Sequence, residues 1–172
     1  NLPCGVPGCG RCDAGAGCTP APATSCKEPT TPTSPLALRL DSSASPTQRA
    51  TWSWRNGAAT TLADFGDPTV GTAYDLCVYR PRPPLAAVDL VLKAHVAPGG
   101  GCPQASGVST PCWHAKGSNA FVYKNPTFSQ SGDGVRKILL RAGGSGRARV
   151  QLDGKGPRLR SQLYAGLAPV VA

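Results

Sequence analysis

The residues with most chemistry to offer are eight cysteines. Cys4, Cys9, Cys12, Cys18 and Cys26 crowd the amino-terminal stretch, and Cys77, Cys102 and Cys112 follow far downstream. Cys9-Gly-Arg-Cys12 has the C-x-x-C spacing of half a zinc site, but structural zinc needs a second pair or a pair plus histidine. The two histidines, His95 and His114, lie far from it. A covalent haem site would read C-x-x-C-H, and Asp13 stands where that histidine should be. Disulfides are the remaining chemistry, and cysteine-rich small segments belong to oxidising compartments. The split of five and three is odd on both sides. If all eight pair within the chain, an odd number of bridges joins the two groups. The simplest pairing links Cys102 to Cys112 and leaves Cys77 for one N-terminal cysteine. The alternative leaves Cys77 and one N-terminal thiol for an intermolecular bridge.

No other constellation points to a reaction. His95 falls on the polar side of an alternating run and His114 follows Cys112-Trp113, with no G-x-S-x-G elbow and no carboxylate placed by a motif to orient either. Asp64 and Asp67 in "ADFGD" read as side-chain-capped turns. A calcium site using Asp64, Asp67 or Asp75 finds no matching loop. The expectation is a non-enzymatic protein with no catalytic residue, no metal site and no cofactor. Two features could bind a ligand. Trp52 and Trp54 share one side of "TWSWR" and could stack on sugar, although tryptophan more often fills a core. Arg147 and Arg149 belong to a basic run between Arg136 and Arg160 that could hold a polyanion, or could be the solvated side of a hairpin. Nucleic acid is disfavoured, since that run lacks exposed aromatics and a groove-entering helix.

These residues must be held by something built without long helices. The chain has 172 residues, 21 glycines, 18 prolines and only 16% charged residues, with a net charge of +9. That composition favours turns and short strands. There is no methionine and the sequence begins at Asn1, from which a mature, processed chain is expected. No apolar run approaches the ~20 residues of a membrane-spanning helix. Residues 1–27 hold five cysteines and few large apolar side chains, so they read as an arm held covalently. "EPTTPTSP" (28–35) reads as a semi-rigid Pro/Thr linker.

From residue 36 to 172 the pattern has period two. "LALRL", "TWSWR", "AYDLCVY", "DLVLKAHV" and "RARVQL" alternate apolar and polar residues, with "NAFVYK" and "VRKILLRA" as weaker cases. Such alternation marks half-buried antiparallel strands. Turn signals such as Asn56-Gly57 and Gly143-Gly144-Ser145-Gly146 separate them. "KILLRAGGSGRARVQL" is the best hairpin, and "AATTLADFGD" the one candidate helical turn. The closing "LAPVVA" reads as an apolar strand that needs a partner edge. The fold expected is all-β, an antiparallel, jelly-roll-like β-sandwich behind a short disulfide-rich N-terminal arm.

Several of these stretches, "ATWSWRNGAATTLADFGDPTVGTAYDLCVY", "PCWHAKGSNAFVYKN", "GVRKILLRAG" and "VQLDGKG", resemble a β domain of secreted deltaproteobacterial proteins. In that family a C-G-x-C-D-x-x-x-G-C segment often precedes the domain, as residues 9–18 do here. "YDLCVY" is more weakly similar to the strand motif of bacterial pre-peptidase C-terminal β-sandwiches. The resemblance implies secretion and repeated use in surface proteins, and implies no activity. The leading expectation is a secreted structural subunit of an extracellular or cell-surface assembly. It would be a filament or appendage homo-oligomer joined through the arm and edge strands, with itself or other surface proteins as partners. The alternative is an accessory carbohydrate- or polyanion-binding module, with a polysaccharide as ligand.

Overall fold

Alternation becomes strand in a computed structural model that describes residues 26–31, 34–39, 48–82, 87–104, 106–126, 133–156 and 158–159. Cys4, Cys9, Cys12, Cys18 and the closing "LAPVVA" lie outside the described residues. The strands are β1 (Leu36–Arg39), β2 (Arg49–Gly57), β3 (Tyr74–Arg82), β4 (Ala87–Val96), β5 (Gly101–Pro103), β6 (Ser109–Pro111), β7 (Trp113–Ala115), β8 (Ala120–Lys124), β9 (Val135–Arg141) and β10 (Ala148–Lys155), with one 3-10 turn at Ala63–Phe65. A six-stranded sheet runs in the order β1-β2-β10-β9-β8-β7, every pairing antiparallel. β3–β4 and β5–β6 form two further antiparallel hairpins.

Period two fixes which side of the sheet is dry. Trp52, Trp54, Ile138, Leu140, Val150 and Leu152 alternate inward along β2, β9 and β10, and Trp113, Phe121 and Tyr123 continue that side through β7 and β8. Leu92, Ala94 and Val96 of β4 are buried in the same cluster, with Tyr74, Leu76 and Val78 of β3 partly buried against it. The 3-10 turn contributes Phe65, which is fully buried, and Tyr74 Oη donates to the Phe65 carbonyl. The "AATTLADFGD" stretch is therefore a loop with one helical turn that plugs the core.

Trp54 explains one glycine. A Cβ at Gly57 would lie 2.1 Å from Trp54 Cη2, so the indole occupies the space any other residue would need. The β2–β10 register shifts between Ala148 and Val150 at this end, and Asn56 takes φ 51°. A bulge with a left-handed residue bends the strand end.

The linker is not free along its whole length. Thr30 N donates to Asn56 O at 2.7 Å and Ala58 N to Glu28 O at 3.2 Å, with a bridge between Pro29 and Gly57. Lys27 Nζ meets Asp64 Oδ2 at 2.7 Å and donates to Ala59 O at 3.0 Å. Residues 27–31 are thus docked on the end of β2 and the loop that follows it.

Cys102 and Cys112 are joined, with Cα atoms 4.9 Å apart, the pairing expected from the sequence. Cys77 is also disulfide-bonded. Its partner is neither Cys102 nor Cys112, which are joined to each other.

Candidate functional site

The outward side of the six-stranded sheet is where charge collects. Among the residues of these six strands, Asp153 is the only carboxylate, against nine lysines and arginines. Eight of the nine are exposed; Arg136 is half-buried. They do not alternate with acids across the strands, as a neutral solvated face would. Arg39 stands opposite Arg49, and Arg49 opposite Lys155 on its other side. Lys124 stands opposite Lys137, and Arg141 opposite Arg149. Directly opposed side chains on an antiparallel pair have Cβ atoms about 4.5–5.5 Å apart, and like charges there are destabilising.

One rung is mixed. Asp153 lies between Lys137 on β9 and Thr51 on β2 and is 3.6 Å from Arg49 Nε. On the next rung half-buried Gln151 adds an amide group, opposite Ser53, which is buried. A shallow cavity of about 400 Å³ runs over this part of the face, lined by Thr51, Ser53, Gln151 and Asp153 among others. A second cleft of about 580 Å³ sits at the β8–β9 end and shares Lys137 and Asp153 with the first. The two therefore adjoin at Lys137 and Asp153.

The expected ligand residues divide. Trp52 and Trp54 are 8% and 0% exposed and point into the core. The sugar-stacking expectation for this pair is corrected, because the β2 parity that puts them together puts them on the buried side. Among the described residues no aromatic side chain is exposed. Arg149 lies on the basic face, whereas Arg147 sits in the turn before β10 and off the sheet. The sequence run from Arg136 onward captured only part of the face: Arg39, Arg49, Arg55 and Lys124 come from strands distant in sequence. Their outward parity could be read from alternation, but their juxtaposition could not.

Other titratable groups are engaged elsewhere. His95 Nδ1 is 2.9 Å from Asp75 Oδ1, and His95 N donates to Asp133 Oδ2. Asp67 Oδ1 accepts from Thr69 N and Oγ1, the capped turn expected of "DFGDP". Asp64 is held by Lys27 and the Thr61 N–H, which lower its pKa to about 2. Asp64, Asp67 and Asp75 are therefore not brought together, and among the described residues no group of three or more metal-ligating side chains forms. His114 is pushed below the usual imidazole pKa by burial and by Lys124 and Lys116.

No family model, curated protein or solved structure matches the chain.

Proposed function

We propose that the basic sheet face binds an acidic polysaccharide and that the protein is a non-enzymatic, secreted accessory binding module. The observation that carries this reading is the set of four like-charge pairs set directly across strands on one face. Each costs folding stability, and each is relieved when an anionic polymer lies over it. Neighbouring strands are about 4.8 Å apart and alternate residues about 7 Å apart, so the paired cations are spaced closely enough to meet neighbouring anionic groups of one polymer. Glycan is favoured over nucleic acid because the face offers hydroxyl and amide groups but no exposed aromatic on which bases could stack. Bonded cysteines fit the same extracellular setting.

Affinity chromatography tests the proposal. The full chain is expected to be retained on immobilised heparin or polygalacturonate and released by salt, and to pass through a neutral glucan column. Passage through both acidic resins at low ionic strength overturns it, as does tighter retention on single-stranded DNA than on either polysaccharide.

Assembly is the second reading, and a specific observation favours it. Among the described residues β1 and β7 are the sheet's edges, and an edge strand offers unpaired backbone groups to another chain. A lone monomer by size exclusion and electron microscopy at high concentration would sink it. The finer fold reading, a jelly-roll-like sandwich, is supported by β3 and β4 sharing their apolar side with the sheet's core.

A further inference from the structure

The cleft at the β8–β9 end differs from the rest of the face because it has walls. The register shift between Asp153 and Gly154 leaves Arg136 as an extra residue in β9. Arg136 and Lys137, consecutive in sequence, consequently both line the cleft. Lys124 stands directly across from Lys137. His114 enters from β7, where it pairs with Val122 and so shares the outward side with Lys124. The far wall is the β5–β6 hairpin. Its Gln104 Nε2 donates to Cys102 O at 3.0 Å and Thr110 Oγ1 at 2.9 Å. The Cys102–Cys112 disulfide closes that hairpin, and Lys124 N donates to Cys112 O at 2.9 Å. The wall and the cations are thus held in one rigid frame.

We infer that this cleft is the primary subsite of the basic face, taking a single carboxylate or sulfate ester of the glycan among Lys124, Arg136, Lys137 and His114. The inference rests on the acidic-polysaccharide reading of the face. A guanidinium fork suits either anion, and Gln104 and Thr110 supply hydrogen-bonding groups for sugar hydroxyls. Asp153 bounds the cleft on the β10 side and repels a second anion there.

The subsite binds a proton together with its anion. His114 faces Lys116 from the β7–β8 turn, Lys124 from β8, Arg136 and Lys137 from β9, and Asp153 from β10; the hairpin wall brings no charge. Burial and the lysines keep the imidazole below its usual pKa. An anion in the cleft opposes those lysines and favours imidazolium, so the bound-state pKa is the higher one. The affinity gain is therefore present at low pH and lost as pH rises through the bound-state pKa. Each unit of that rise corresponds to about a tenfold change in affinity.

Proton NMR of the two histidines tests this, using the full chain with a heparin-derived hexasaccharide or an oligogalacturonate. His95, paired with Asp75, lies on β4 outside the cleft lining and distinguishes the two ring signals. The His114 titration midpoint is expected to rise with at least one ligand; which ligand moves it identifies the anion. His114→Gln, checked for unchanged thermal unfolding, is expected to bind more weakly at low pH and to lose the pH dependence of binding. If the wild-type chain binds either ligand and the His114 midpoint does not move, the subsite is wrong while the basic face stands. If neither ligand binds at low salt, the face reading falls and the subsite with it.

Discussion

Reversing one charge on the basic face should make the fold more stable and the binding weaker. Arg141 stands directly opposite Arg149 and its other cross-strand neighbour is Ala120, so no acid compensates it within the sheet. Two unit charges roughly 6 Å apart in water repel by about 0.7 kcal/mol, before screening. Arg141→Glu replaces that repulsion with attraction of similar size, a swing of about 1 kcal/mol at low salt, consistent with the range for cross-strand charge pairs. For a chain of this size that raises Tm by roughly 2–4 °C. Arg141→Gln should give about half the effect. At 1 M salt the Debye length falls to about 3 Å and the gain should vanish. The assay is thermal or urea unfolding at low and high salt; guanidinium chloride is unsuitable because it is itself a salt. The same variant lowers the net charge from +9 to +7 and should elute from heparin earlier in a salt gradient. A variant that is less stable at low salt, or whose stability gain does not depend on salt, refutes the claim that these cations repel one another in the folded state.

The remaining predictions concern the frame beneath the face. Gly57→Ala forces a Cβ to within 2.1 Å of Trp54 and should cost about 1–3 kcal/mol as an overpacking change, read by urea unfolding with tryptophan fluorescence. Asp64 has its folded pKa lowered to about 2 from 3.8, chiefly by the Lys27 hydrogen bond. Its stabilisation is fully present above pH 3.8 and is lost as pH falls through 2, so the Tm gap between wild type and Asp64→Asn should be open at pH 7 and close near pH 2. Replacing Cys102 and Cys112 by serine removes a bridge spanning 10 residues and should cost roughly 3 kcal/mol on the chain-entropy account, with weaker binding at the cleft whose wall it holds. Non-reducing peptide mapping should find Cys77 joined to one of Cys4, Cys9, Cys12 or Cys18; a Cys77 thiol that alkylates freely would contradict this.

Alternation made much of the sheet legible. The strands around Trp52, Leu92, Leu140 and Val150 follow their apolar parity, because a half-buried strand must place every second residue on the dry side. The β9–β10 hairpin was equally plain from its glycine-rich turn. Two features were not. The tryptophan pair reads identically whether its side is wet or dry, and only the packing of β4 and the Phe65 turn on that side makes it core. The β9 bulge that brings Arg136 beside Lys137 leaves no mark in the sequence, since it depends on how β9 registers against β10.

The sequence by itself determined an all-β chain, its strand parities and a strong excess of positive charge, because these depend on local period and composition; the Cys102–Cys112 bridge was only the simplest of the pairings it allowed. Only the tertiary structure decided that Arg39, Arg49 and Lys155, or Lys124 and Lys137, stand side by side. β2 pairs with β10 across almost a hundred residues of intervening chain. Strand order and register follow from the total burial of the core, and no local pattern records them. The candidate site lies on the outward side of that arrangement and exists only once it has formed.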